Sequence, residues 1–245
     1  MGLIMRKSVL AASAALSLLA ATGALAESRS YDLDSFDKVA IATGLTAVIT
    51  RGESQSLRIE TKRNGVLDQI DLDVRNGELR ARRHTNLLDI IFSGGLLNMM
   101  HFDNDATLYI TLPNLSGVSA SSGASVEADL IEGEAATLDA SSGARIDIAK
   151  VEVGTLSLAA SSGAGIELAG TCDTAAIEVS SGASIRAGEL SCKDVDVDGS
   201  SGASASFQAE GRVTGSLSSG ASVRLGGTPE SVNVESSSGG SLRMQ

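Results

Sequence analysis

The chain has 245 residues, of which 42% are hydrophobic, so general intrinsic disorder is excluded. Aromatic residues make up only 2%, and a core must therefore be built from Val, Ile, Leu and Ala. A formal net charge of -11 excludes nucleic acid and anionic lipid as the main partners, since both require a basic surface.

The first 26 residues have the pattern of a secretory signal peptide. Arg6 and Lys7 precede an apolar run over residues 8–19, and Ala24-Leu25-Ala26 supplies the small residues that a signal peptidase reads. We expect the mature chain to begin at Glu27, in an oxidising compartment outside the cytoplasm. A retained membrane anchor is the alternative, although the apolar run is short and no stop-transfer segment follows it.

Residues 27–115 contain short alternating segments that are typical of β-strands. These segments cover residues 38–43, 46–50, 56–62, 70–75, 78–82 and 107–112. We expect them to form irregular N-terminal coils on the same axis as the repeats that follow. Because no linker precedes Ser116, the sequence predicts a single domain over residues 27–245.

An apolar insertion at residues 85–104 interrupts the strand rhythm. Its ten large apolar side chains are the interaction candidates Leu87, Leu88, Ile90, Ile91, Phe92, Leu96, Leu97, Met99, Met100 and Phe102. The insertion either caps the open end of the fold or is buried by self-association or by a protein partner, because soluble monomers rarely expose so large an apolar patch. Net negative charge disfavours an anionic membrane as the target.

Ser-Ser-Gly occurs seven times in residues 116–245, at intervals of 18 to 20 residues. The glycines are Gly123, Gly143, Gly163, Gly182, Gly202, Gly220 and Gly239, and Ala follows the first six of them. A period near 20 residues predicts a solenoid of seven regular coils.

Period-two alternation around each glycine indicates strands. Leu138, Ala140, Ser142, Ala144 and Ile146 share one side of the chain, and polar residues occupy the other side. The sequence therefore predicts an all-β, right-handed parallel β-helix, since parallel crossovers are right-handed. In this interpretation Ser-Ser-Gly is a bend with its second serine facing inward, and residues 131–134 form a polar turn between coils.

The two cysteines occupy nearly equivalent places in adjacent repeats. Cys172 follows Gly163 by nine residues, and Cys192 follows Gly182 by ten. Stacked coils would bring them about 5 Å apart, which is within disulfide range. Export favours a disulfide, and two unlinked core residues are the alternative.

Four sequence segments together resemble the head GIN domain family of auto-transporter adhesins. They are Phe-Asp-Lys-Val at 36–39, the segment 44–52, Asn-Gly-Glu-Leu at 76–79 and Leu-Pro-Asn-Leu at 112–115, followed by serial Ser-Gly motifs. The resemblance covers roughly residues 35–242 and implies a cell-envelope β-helix in the periplasm or at the cell surface of a bacterium. The family has no catalytic motif to carry over, and Ser-Ser-Gly-Ala stands here where Ser-Gly-Ser-Gly is commoner.

Motifs for catalysis or cofactor binding are missing from the sequence. There is no Gly-x-Ser-x-Gly elbow, no phosphate-binding loop and no complete dinucleotide fingerprint, so we expect no enzyme and no cofactor. His84 and His101 flank the insertion and could bind a metal together with Asp89, Asp103 or Asp105, but solvated loop histidines are the simpler interpretation, and we predict no metal site.

Acidic residues recur at fixed offsets from the corner glycines. Four residues before a glycine stand Asp139, Glu178, Asp198 and Glu235; four residues after it the column runs Glu127, Asp147, Glu167, Arg186, Ser206, Arg224 and Arg243. Stacked carboxylates could bind a cation or simply form a solvated acidic face.

Three functions remain open at this point. The first is a noncatalytic envelope or surface module that binds protein, a glycan or a second copy of itself. The second is a carbohydrate-active β-helix enzyme, which the scarcity of aromatic stacking residues disfavours. The third is a rigid scaffold without a ligand.

Overall fold

The computed structural model describes residues 27–62, 65–84 and 106–245. The predicted signal peptide and nearly all of the apolar insertion, with its ten interaction candidates, lie outside the described residues.

Seventeen β-strands and one short 3-10 turn, Leu67–Gln69, make up the described chain. The strands up to the first regular repeat are β1 Glu27–Tyr31, β2 Lys38–Ile41, β3 Thr46–Arg51, β4 Ser56–Thr61, β5 Ile70–Arg75, β6 Glu78–Arg83, β7 Ala106–Leu112 and β8 Gly117–Ala120. The remainder are β9 Ser125–Ala140, β10 Arg145–Ala160, β11 Gly165–Val179, β12 Ser184–Gly199, β13 Ser204–Ala209, β14 Arg212–Leu217, β15 Ser222–Gly226, β16 Ser231–Ser236 and β17 Ser241–Met244.

The strands form a β-solenoid of about six turns, as the 20-residue period predicts. Each repeat pairs in parallel with its equivalent in the next, so that Ile146 lies beside Val126 on one side and Ile166 on the other. The narrow core is filled by columns of equivalent apolar residues, such as Leu138, Leu158, Ile177 and Val197. Without aromatic bulk, this stacking of branched side chains supplies the packing.

Each Ser-Ser-Gly forms a tight turn with two consecutive residues in the left-handed region. At the fifth corner Ser201 has φ 54° and Gly202 has φ 70°, as both central residues of a type I′ turn require. The N–H of Ala203 donates to the carbonyl of Ser200 at 3.2 Å to close the turn, and the N–H of Gly202 donates to Ser219 in the next corner at 2.9 Å. The corners are therefore hydrogen-bonded to one another as a continuous column.

The expectation that the second serine of each copy faces inward is wrong. Ser142, Ser162 and Ser181 are exposed, and the first serine is half-buried in the first six motifs. Two successive left-handed residues rotate the chain out of the pleat, so the period-two alternation does not continue through the corner.

The predicted polar turn over residues 131–134 is also corrected. The segment lies inside β9, with Glu132 opposite Glu152 and Gly133 opposite Val153 in the parallel ladder. Gly133 has φ 140°. The chain therefore changes direction here by a bend within a hydrogen-bonded strand, not by leaving the sheet.

The N-terminal strands only partly form coils. β2 and β3 close a coil through a corner at Thr43 and Gly44, both with positive φ, and the Gly44 N–H donates to Ser122. β6 and β7 run parallel to β2 and β3 and form the coil beyond them. However, β1 pairs antiparallel with β4, β4 with β7 and β5 with β6, so the prediction of coils is wrong for these pairings.

The ends of the apolar insertion have a defined place in this arrangement. Arg83 ends β6 and Ala106 begins β7, and the next coil bridges the equivalent positions with its Thr43-Gly44 corner. In the described coils that follow, a short corner joins the equivalent positions, whereas in the sequence the insertion stands between Arg83 and Ala106.

The two cysteines lie directly opposite each other in the ladder between β11 and β12, and a disulfide joins them. Their Cα atoms are 4.5 Å apart and both residues are buried. The column continues with Val153 on one side and Ala209 on the other. The disulfide therefore replaces an ordinary apolar contact of the core with a covalent one.

We expect Gly202→Val to lower the free energy of unfolding by about 1–3 kcal/mol, because a β-branched residue is strained at φ 70°. A Cβ at Gly202 would meet no atom within 4 Å, so steric overlap does not contribute. Chemical denaturation measures the loss. Gly202→Asn is the control, since Asn tolerates the left-handed region; equal midpoints for wild type and Gly202→Val would contradict a constrained corner.

We expect no free thiol in the unreduced, denatured protein. Closing a loop of about 20 residues stabilises the fold by on the order of 3 kcal/mol in the chain-entropy model, so reduction should lower the melting temperature. Thiol titration with and without reductant checks the prediction. Detection of two thiols before reduction would mean that Cys172 and Cys192 are unlinked neighbours in the core.

Candidate functional site

A shallow groove of about 380 Å³ lies beside the column of corners. Backbone and side chains from five consecutive repeats line it: Asp139, Ala159, Ala160, Ser161, Glu178, Val179, Ser180, Asp198, Gly199, Ser200, Ser216 and Ser218. The sequence analysis singled out its three acids as recurring carboxylates. It did not predict a groove, because period and offset describe a column of residues but not the concavity beside it.

The ladder fixes the order of side chains along the groove. Ala159 pairs with Asp139 on one side and with Glu178 on the other, and Glu178 pairs with Asp198. Adjacent positions are about 4.8 Å apart along the axis. Glu178 and Asp198 therefore form a close pair of carboxylates, while the small side chain of Ala159 leaves a gap of two repeats between Asp139 and Glu178.

Asp198 is held by hydrogen bonds to the next coil. Its Oδ1 accepts from the backbone N–H of Ser216 at 3.1 Å and from the Ser216 hydroxyl at 2.6 Å. Asp194 and Asp196 on the same strand accept from the Arg212 N–H and the Thr214 hydroxyl, each at 2.8 Å. This row of aspartates links two coils, which is a structural role.

The other two acids of the groove are available to a ligand. Within the described part of the chain, Asp139 and Glu178 form no hydrogen bond or ion pair, and both are exposed. The half-buried hydroxyls of Ser161, Ser180 and Ser200 lie along the same groove. Free carboxylates beside hydroxyl groups can accept hydrogen bonds from sugar hydroxyls or from cationic groups, and they repel anions.

The second acidic column is partly neutralised within the chain. Arg145 Nη2 lies 2.9 Å from Glu167 and 3.8 Å from Asp147, and Arg186 Nη1 lies 3.6 Å from Glu167. Two arginines of the chain thus balance the carboxylates that the sequence analysis proposed as ligands of a cation. The sequence analysis did not include Arg145 because it considered only the column that contains Asp147 and Glu167. Arg145 stands two residues before Asp147, in the neighbouring column of the same face.

In the described part of the chain, no group of three or more His, Cys, Asp or Glu side chains is positioned to hold a metal ion. His84 is exposed, with its Nδ1 3.8 Å from Asp71. His101, Asp89, Asp103 and Asp105 lie outside the described residues, as do the ten apolar interaction candidates.

Aromatic stacking is found away from the groove. The Arg58 guanidinium lies 5.0 Å from the ring centroid of Tyr109, on the antiparallel pair β4 and β7. The groove itself has no aromatic lining residue. A sugar in it would be bound through hydrogen bonds alone.

Over the described ranges, no helix has the length and hydrophobicity needed to span a membrane.

Solved structures with the same fold come from Bacteroides and Parabacteroides species. A putative adhesin from Bacteroides fragilis aligns with a TM-score of 0.77 at 18% identity, covering 91% of this chain and 98% of its own. A putative lipid binding protein from Parabacteroides distasonis has a TM-score of 0.63 at 13% identity, covering 90% and 96%. A putative adhesin from Parabacteroides merdae has a TM-score of 0.62, also at 13% identity and with coverage of 90% and 96%. At these identities the likeness shows the fold.

The comparison with curated proteins found no match. A family model described as putative auto-transporter adhesin, head GIN domain, matches residues 35–229. This range spans the N-terminal strands and most of the solenoid, and it confirms the resemblance carried by the four sequence segments. The chain therefore belongs to the head GIN domain family of putative auto-transporter adhesins.

Proposed function

We propose that this protein is an exported, noncatalytic module of the bacterial envelope or surface that binds a polar ligand in an adhesin-like manner. The observation that carries the proposal is the groove, where Asp139 and Glu178 remain unpaired beside a row of serine hydroxyls. The names of the family and of two structural neighbours support a surface module. The sequence pattern of a secretory signal that is predicted at residues 1–26 supports the location.

The chemistry of the groove favours a neutral or cationic glycan. Hydroxyls and carboxylates match the hydrogen-bonding groups of a sugar chain, and neighbouring repeats present them about 4.8 Å apart, close to the length of one sugar unit. The net charge of -11 disfavours acidic polysaccharides. Since the groove lacks aromatic residues, each sugar would contribute little, and binding would depend on several repeats acting together.

A catalytic role has less support than binding. Asp198 is engaged by Ser216, so its carboxylate is not free to act as acid or base. The groove is shallow and open to water, which weakens the electrostatic stabilisation on which a glycosidase depends. An assay for polysaccharide cleavage on the samples used for the binding measurement tests the alternative of a carbohydrate-active enzyme.

A second candidate function is self-association or protein binding through the apolar insertion. Its ten large apolar residues stand in the sequence between β6 and β7, which pair in parallel with β2 and β3, and a short corner joins β2 to β3. Such a position suits an interface that extends beyond the solenoid. It equally suits a cap on the core, and the two possibilities predict different results on deletion.

The groove proposal predicts selective loss of glycan binding. We expect the purified protein to bind neutral or amino-sugar polysaccharides on a glycan array. The double variant Asp139→Asn with Glu178→Gln should bind them about tenfold more weakly or worse, because charge-assisted hydrogen bonds are lost. Glu210→Gln, an exposed acid outside the groove, is the control.

The same samples decide between binding and turnover. We expect no release of reducing ends from any bound polysaccharide. Undiminished binding by the double variant would contradict the groove as the site, and measurable cleavage would contradict a noncatalytic module.

Deleting residues 87–102, with a short Gly-Ser linker in their place, separates an interface from a cap. If the insertion is an interface, light scattering should show loss of an oligomer while the melting temperature is unchanged. An unchanged mass with a marked drop in melting temperature would instead identify a cap, since buried apolar side chains stabilise by roughly 1.5–3 kcal/mol each.

A further inference from the structure

One outer face of the solenoid has acidic and basic charges separated along its length. It is formed by the chain just after each corner. Next to Tyr109 of β7, its central column runs in ladder order through eight positions, Val48, Glu127, Asp147, Glu167, Arg186, Ser206, Arg224 and Arg243. We call this column and its outward neighbours the charged face. The acids occupy the early positions and the arginines occupy the late ones.

The charges at the two ends of the charged face have no partners within the described residues. Glu127 and Asp129 at the early end form no ion pair, and neither do Arg224 and Arg243 at the late end. All four residues are exposed. Stacking two arginines in adjacent coils costs repulsion, which an opposite charge from outside the chain would relieve.

The rest of the charged face is flat enough for close approach. The column beside the charges consists mainly of small residues, including Gly165, Ser184, Ser204, Ser222 and Ser241. The hydroxyls of Ser184 and Ser204 are 3.3 Å apart and lie along the sheet. Arg145 is the large side chain in this column; over the other positions a second flat sheet could pack without displacing large side chains.

We propose that the charged face binds a second copy of this chain, with the two solenoids antiparallel. A twofold axis parallel to the strands and passing between Glu167 and Arg186 brings the acidic half of one copy against the basic half of the other. Glu127 then faces Arg224 of the second copy, and Glu167 faces Arg186. A parallel arrangement would set like charges against each other, so charge selects the antiparallel pair.

Size and net charge make this association weak and dependent on salt. The column of eight positions spans about 34 Å, and with a width of five residues the face covers about 550 Å² per copy. That area is typical of transient contacts. Each copy carries a net charge of -11, but ionic strength near 0.15 M screens long-range repulsion over about 8 Å and leaves contacting pairs less affected.

The contact does not depend on the groove. The charged face follows the Ser-Ser-Gly corner in the chain, and Asp139, Glu178 and Asp198 precede it. Loss of ligand binding would therefore leave the dimer intact.

Sedimentation velocity on the purified protein at rising concentration, near 0.15 M ionic strength, tests the proposal. We expect a shift from monomer towards dimer for the wild type. Variant one, Arg224→Glu with Arg243→Glu, should stay monomeric because both ends of its face are acidic. Variant two, Glu127→Arg with Asp129→Arg, should stay monomeric because both ends are basic.

An equimolar mixture of the two variants should restore the dimer, since residue 127 of one variant then again faces residue 224 of the other with the opposite charge. The charge-matched control is Lys193→Glu with Arg212→Glu, two exposed cations on another face, and it should associate as the wild type does. Circular dichroism checks that each variant is folded.

Three results would overturn the proposal. They are a wild type that stays monomeric throughout, dimers that persist in both variants alone, and a mixture that fails to associate. Persistence in both variants would assign self-association to another surface, and deletion of residues 87–102 would then show whether the insertion provides it.

Discussion

The left-handed corner is the constraint on which the solenoid depends. A parallel ladder requires each coil to return to the same position one strand spacing further along the axis, and it allows little variation in where the chain turns. Two consecutive residues with positive φ, such as Ser201 and Gly202, make that turn in the smallest number of residues. Since each corner also donates a hydrogen bond to the next, as Gly123 does to Ser142, a change of conformation at one corner would disturb its neighbours.

Stacking of the coils has a chemical consequence. Each residue lies about 4.8 Å from the residue at the equivalent position of the next coil. Inside the solenoid this favours columns of similar apolar residues, and it allows Cys172 and Cys192 to replace a contact by a covalent bond. Outside, identical charges would repel, and the chain avoids long runs of them. Ala159 interrupts the acids of the groove, Ser216 binds Asp198, and Arg145 and Arg186 flank Glu167. The unpaired charges that remain, at Glu178 or Arg224, are therefore where external partners are best sought.

The solenoid and its core could be predicted from the sequence, because period and alternation express directly how strands stack and which side is buried. The orientation of Ser142 could not, since alternation assumes extended residues and fails at a turn with positive φ. The corner at Thr43-Gly44 was missed because it lacks the Ser-Ser-Gly motif, although the backbone there adopts the same conformation. The antiparallel pairing of β4 with β7 has no counterpart in the period at all: it joins segments about 50 residues apart, and only tertiary packing determines it.

Function in such a fold depends on differences between repeats more than on the repeat itself. The Ser-Ser-Gly column recurs in coil after coil because every coil must turn, so its regularity gives no information about a ligand. The informative positions are those where equivalent residues differ: Ala159 between two acids, or the change from Glu167 to Arg186 along one face. The groove forms where a small residue replaces a large one. The charged face has an acidic half and a basic half because the sign of the charge reverses along one column. Both features lie on rigid, hydrogen-bonded strands, which hold their side chains in place before any partner arrives and so lower the entropy lost on binding.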